Sequence, residues 1–220
     1  MQQEARRIAE SEEELGALPV WDLSDLYPSM DAPEVQRDLG RAERLAIEFE
    51  ARWKGRLAEI AAGSDGGALL AQAVTQFEEL EDLMGRIGSF AVLLHAGDTS
   101  DPVRAKFYGD VNDRLTAIGT HLLFFPLELN RLDDALVETA LQAPALARYR
   151  PWIEDLRLEK PYQLDDTIER LFLEKSVTGR SAWSRLFDET LASLRFEVEG
   201  ETLTLEPTLH RLLSPEEARR

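Results

Sequence analysis

The chain has 220 residues, 44% of them hydrophobic, which is enough for a sizeable core and excludes a disordered chain. Its formal net charge of -17 sets up a field that repels phosphate backbones and anionic lipid heads, which argues against nucleic-acid and membrane partners. The absence of cysteine excludes disulfides, thiolate metal centres and cysteine nucleophiles, and fits a cytoplasmic protein.

Residues 1–19 are polar and charged, and read as a tail or a frayed helix. They lack the apolar core of a signal peptide. In "VWDLSDLYPSMDAPE", Pro28 and Pro33 forbid a continuous helix. Trp21, Leu23, Leu26 and Tyr27 make this segment too apolar for a free linker, so it should lie on later helices. Asp31 is the expected N-cap of the first long helix, with Pro33 in its first turn. Val35, Leu39, Ala42, Ala46, Phe49, Trp53, Leu57 and Ile60 recur at steps of three and four, predicting one helix up to the "GSDGG" break at 63–67. Leu69, Leu70, Ala73, Val74, Phe77, Leu80, Leu83, Met84 and Ile87 mark a second, reaching about Ala96. "GDTSDPVRAKF" opens a third, with Ser100 as cap and Asp101 and Pro102 in the first turn. Its stripe runs from Val103 to Leu129, and Pro126 within it predicts a kink. The apolar run "HLLFFPLEL" in this stretch is too short to span a bilayer.

Asp133 or Asp134 caps a shorter helix. "APALARYRPWIEDLRLEKPYQL" starts another, broken or kinked at Pro151. Asp165 or Asp166 opens a helix through about Lys175, and one more runs from about Ser181 to Leu194. The period then changes to two. "LRFEVEGETLTLEP" alternates about Gly200, with Phe196 and Val198 on one arm and Leu203 and Leu205 on the other, which predicts a β-hairpin. "SPEEARR" carries a helix-start signature from Ser214 to Glu217, three residues from the last one, and reads as the opening of a helix that continues in a longer chain. A charged tail is the alternative. The fold expected is all-α: a multi-helix antiparallel bundle-like array with a small C-terminal β-hairpin over about 194–205. The organisation expected is a tail over 1–19, a helical region over 20–193, and a hairpin plus helix start over 194–220.

Candidate chemistry is sparse. His95, His121 and His210 lack metal-ligand spacing, and HExxH is absent. His121 lies in an apolar helix and reads as a satisfied core or interface histidine. His95 stands near a helix end, where an imidazole can meet the last carbonyls. An enzyme using His95 with Asp98 and Asp101 is one rival reading, although no complete constellation is visible. "HAGDTSDP" fits a calcium loop poorly, and turn and cap chemistry accounts for it. "EKSVTGRSAWSRLFDE" has the composition of an anion-binding loop, but its single Gly follows a helix and its Lys precedes the Gly, so it is not a P-loop. A helix start at Ser181 leaves an anion site open. The simpler account is a joint, with Gly179 ending one helix and Thr178 or Ser181 capping the next. Lys175 and Arg180 would then face neighbouring carboxylates, and Trp183, Leu186 and Phe187 would enter the core. No catalytic, cofactor-binding or metal-ligating residue is assigned.

Five segments in order carry a family likeness: "WDLSDLYPS", "FAVLLHAGDTSD" at 90–101, "RLTAIGTHLLFFPLELNRL" at 114–132, "ARYRPWIEDLR" at 147–157 and "LEKSVTGRSAWSRLFDETLASLRF" at 173–196. Over about residues 20–213 the chain resembles the N-terminal region of oligoendopeptidase F and its bacterial relatives, zinc metallopeptidases akin to thimet oligopeptidase and neurolysin. The resemblance implies a largely helical, clam-like body with a deep channel. It also implies a zinc site of HExxH and a later Glu in the other half, with short peptides as substrates. No residue of this chain matches that motif, so none inherits a catalytic or zinc-binding role. The segment is expected to be inactive alone, to carry no cofactor itself and to form one wall of the channel. A stand-alone helical binding module is the alternative.

Overall fold

The computed structural model describes residues 21–213. The expected tail over 1–19 and the helix start at Ser214 lie outside them.

Helix α1 (Pro33–Trp53) buries the predicted stripe from Val35 to Trp53. Its N-cap is Ala32, with no side-chain cap, so Asp31 does not cap it. The stripe does not continue in one helix to Ile60. Lys54 is extended and Gly55 takes φ 75°, a left-handed conformation open to glycine. The Gly55 N–H donates to Glu128 Oε1 at 2.7 Å, which fastens the turn to a distant helix. Helix α2 (Leu57–Ala62) follows, and Trp53 and Leu57 are both buried despite lying in different helices.

Helix α3 (Gly66–Gly97) is the longest described and forms the spine. Near its start Gly67 passes so close to later backbone that a Cβ would stand 2.5 Å from the Ala140 oxygen. Helix α4 (Pro102–Leu122) begins on Asp101, whose carboxylate accepts from the Val103 and Arg104 N–H groups. Ser100, the expected cap, instead donates its hydroxyl to Asp98 Oδ1 at 2.7 Å. The stripe is interrupted where Pro126 predicts: α4 ends at Leu122 and α5 (Phe124–Arg131) starts one residue later, because Pro126 has no N–H for the Leu122 carbonyl.

Asp133 caps α6 (Asp134–Ala140) by accepting from the Ala135 N–H at 2.9 Å. Pro151 lies in the first turn of α8 (Arg150–Leu158), separate from α7 (Pro144–Ala147). Arg157 of α8 donates to the Leu129 and Leu132 carbonyls, each at 3.0 Å, and so satisfies the C-terminal end of α5. A 3-10 turn (Lys160–Tyr162) leads to α9 (Asp166–Thr178), capped by Asp165, and then α10 (Arg180–Ser193). Strands β1 (Phe196–Val198) and β2 (Glu201–Leu203) pair antiparallel, Phe196 opposite Leu203. Glu199 and Gly200 both take positive φ in the two-residue turn. Leu205, expected on the second arm, instead begins α11 (Leu205–His210), which runs into a 3-10 turn at Arg211–Leu213. The all-α array with one small hairpin is therefore borne out.

The core draws on α1 to α8 and is centred on α1, α3, α4 and α5. At its centre Phe125 sits 5.1 Å from Phe49 and 5.0 Å from Phe77, ring centre to ring centre. Tyr27 is buried against α1 and α3, as its segment's apolar content predicts, whereas Trp21 is 71% exposed and does not pack. Core packing fades toward the C-terminal side: α9 and α10 bury no residue.

Candidate site at the joint of α9 and α10

The opening turn of α10 follows from one glycine. Gly179 is at once the C-cap of α9 and the N-cap of α10, and its N–H donates to the Lys175 carbonyl at 2.7 Å. A Cβ there would lie 2.8 Å from the same oxygen, so the close turn excludes a side chain. The first N–H groups of α10 are thus left without a side-chain cap; neither Thr178 nor Ser181 supplies one.

That uncapped end faces a cavity of about 300 Å³ lined by His95, Tyr108, Ser176, Arg180, Ser181, Ser184, Arg185 and Asp188. His95 comes from the end of α3 and Tyr108 from α4, and their rings stack at 5.3 Å and 12°. His95 is only 6% exposed, and its Nδ1 is buried without a hydrogen-bond partner among the described residues. It does not bond the last carbonyls of α3, as its position suggested. Arg104 does so instead, donating to the Leu94 carbonyl at 3.1 Å. Arg185 lies over α4 at Gly109, where a Cβ would come within 3.0 Å of Nη1. Its only ion pair among the described residues is a long one, 3.9 Å to Glu189.

The remaining sequence candidates do not join this cavity. Asp98 accepts from the Ser100 hydroxyl and N–H, which hold its carboxyl below the usual range, and Asp101 caps α4. Neither bonds the His95 ring, so no base with an orienting acid is assembled there. His121 is not in the core but at the rim of the α1–α4 contact, with Nδ1 2.5 Å from Glu50 Oε2. His210 is exposed on α11. Trp183, Leu186 and Phe187 do not enter the core: they are exposed on α10, which packs on α9 with its polar flank toward the cavity. A second cavity of about 540 Å³ lies between Asp101 and Arg195. Its one cation, Arg195, donates to the Ala192 and Leu194 carbonyls. Among the described residues no three His, Asp or Glu side chains gather to hold a metal ion, so these residues do not fit a zinc centre. No described helix is long and apolar enough to cross a membrane.

This all-α array with a terminal hairpin has a solved counterpart. The fold matches oligoendopeptidase-F from Enterococcus faecium with a TM-score of 0.68 at 18% identity, over 84% of this chain and 37% of that one. The chain thus spans little more than a third of that protein's length. Residues 128–196, from α5 to the first strand, match the family model of the peptidase M3 N-terminal family, Oligopeptidase F. No curated protein matches the sequence. The resemblance read from the sequence is therefore borne out: in family over residues 128–196, and in fold over most of its length, the chain is similar to the N-terminal region of oligopeptidase F-like peptidases.

Proposed function

We propose that the chain is the non-catalytic N-terminal segment of an oligoendopeptidase F-like zinc metallopeptidase that hydrolyses short peptides in the cytoplasm, and that it forms part of the wall of the substrate channel. The family match over 128–196 carries this reading. The exposed apolar positions of that region support it. Phe172, Trp183 and Phe187 are each more than half exposed on α9 and α10, which is the face a further part of a longer protein would cover. Zinc and the water it activates belong, in this reading, to that further part.

The first test is the reading frame beyond the codon for Arg220. A continuing frame with HExxH is the expected result, and a stop codon sinks the proposal. On the longer protein, Trp183→Asp with Phe187→Asp should abolish chelator-sensitive cleavage of short peptides. In the 220-residue chain alone the same pair should leave the melting temperature unchanged. Metal-dependent cleavage by the 220-residue chain alone would also refute the assignment.

A further inference from the structure

We propose that the cavity between His95, Tyr108 and the first turn of α10 binds the carboxylate of an amino-acid-sized ligand, either a free amino acid or the C-terminus of a short peptide. Three independent features converge on it. The first is the uncapped start of α10, a 14-residue helix whose N–H groups and dipole favour a negative charge. The second is a pair of guanidinium groups in a chain of net charge -17. Arg180 has no ion pair or hydrogen bond among the described residues, and Arg185 has only its long contact to Glu189. Arg41, Arg170 and Lys175 also lack an ion pair among the described residues, but Arg180 and Arg185 share the lining of one small cavity, and two guanidinium groups at one cavity favour an anion.

The third feature is His95, more than nine-tenths buried at the cavity wall. A buried N–H without an acceptor costs more than a buried lone pair without a donor. With Nδ1 buried and unbonded, a proton on Nε2 is the less costly arrangement, and Nε2 has no acceptor among the described residues. A ligand oxygen would satisfy it. The hydroxyls of Ser181 and Ser184 are likewise unengaged among the described residues.

The donor set suits an oxyanion, and two further facts choose a carboxylate. Asp188 lines the same cavity, which disfavours a multiply charged phosphate but accepts an N–H from an amino acid or peptide. The stacked His95–Tyr108 pair gives one wall a flat, partly apolar surface for a short side chain. A volume of about 300 Å³ lies at the small end of ligand pockets, the scale of one or two residues. The peptide source rests on the proposed function; the free amino acid does not.

The test is calorimetric titration of the 220-residue chain with N-acetyl-L-alanine, its amide, L-alanine and inorganic phosphate. The free acid should bind and the amide at least about tenfold more weakly, the usual worth of a charge-assisted contact. Arg180→Gln and Arg185→Gln should each weaken the acid by about tenfold or more. Because the Arg180 side chain is exposed and unengaged, R180Q should melt at the wild-type temperature, so a loss of binding there is not a loss of fold. Tighter binding of L-alanine than of its acetyl derivative identifies the free amino acid as the ligand, and the reverse identifies a peptide terminus. Absence of binding by both acids overturns the proposal. So does equal affinity for acid and amide, phosphate binding as well as the acid, or indifference to both arginine substitutions. None of these results depends on peptidase activity.

Discussion

Tyr27→Phe isolates one buried hydrogen bond. Tyr27 is 1% exposed, and its hydroxyl donates to Oδ2 of Asp38, itself 4% exposed, at 3.0 Å. The ring meets Phe90 edge-on at 5.3 Å and lies under the Arg86 guanidinium at 4.7 Å. Phenylalanine keeps both ring contacts and removes only the oxygen. Asp38 keeps Arg37 on Oδ1 at 3.2 Å, but Oδ2 loses its donor. A buried polar group left unmet costs about 1–3 kcal/mol, so urea unfolding near neutral pH should show a loss of about 2 kcal/mol. The pH dependence tests the same contact from the other side. Burial first, and then the bond to Asp38, push the Tyr27 phenol from 10.0 up to about 12. A value raised on folding gives stability that is complete below the unfolded value and is lost as pH climbs through the folded one. Two units are worth about 3 kcal/mol, with roughly half gone by about pH 11. Lysines and other tyrosines titrate in the same window, so the measurement is the difference between wild type and Tyr27→Phe. The wild type should lose more stability between about pH 9 and 12 than the variant does. An identical alkaline decline in both proteins, or an unchanged stability near pH 7, refutes the reasoning.

Other outcomes follow from the packing. Gly67→Ala should destabilise by about 1–3 kcal/mol, because its Cβ would meet both the Ala140 oxygen at 2.5 Å and the Ala143 Cβ at 2.6 Å; a wild-type denaturant midpoint contradicts this. Phe125→Ala, at a fully buried ring, should lower stability by about 3–5 kcal/mol in the same assay. Gly179→Ala should raise amide exchange in α9 and α10, whose turn it forces apart, while leaving α1 and α3 protected. Burial raises the Glu50 carboxyl, but hydrogen bonds from His121 and Lys54 outweigh it and hold the group below 4.5. Glu50 therefore contributes stability above that value that is lost as pH falls. His121→Ala should flatten the acid limb of the melting curve, and an unaltered slope argues against the pairing.

The helices were legible because an apolar stripe at steps of three and four is the direct mark of a half-buried helix. Where the reading slipped, the stripe itself was misleading. Trp53 and Leu57 keep the period across a break, since both ends of the Lys54–Arg56 turn reach the same core. Only Gly55, with its positive φ, signals the interruption. Caps slipped by one residue for a related reason: Asp98, Ser100 and Asp101 are all turn formers, and the local bond from Ser100 to Asp98 leaves Asp101 as the cap. The hairpin ended early because Leu205 fits a strand period of two and a helix start equally well.

The exposed stripe of α10 shows a different limit. Trp183, Leu186 and Phe187 state that one side of this helix is apolar, and nothing in their spacing states what covers it. Within the described residues, Trp183 and Phe187 are more than half exposed, so the stripe and the core are separate properties of the sequence.

The cavity at the joint was the least legible feature, because its parts lie far apart in sequence. His95 ends α3, Tyr108 belongs to α4, and the arginines and serines come from the turn into α10. Taken alone, "EKSVTGRSAWSRLFDE" favours a joint over an anion site. Folding shows that the two readings are not exclusive. The joint requires a residue without a Cβ at Gly179, and that requirement strips α10 of a capping side chain. The vacated donors then open onto a wall where His95 is buried with nothing to bond. The turn that excludes a side chain at Gly179 thus brings uncapped N–H groups and two guanidinium groups to the wall that holds His95, and this donor set is what the proposed carboxylate site rests on.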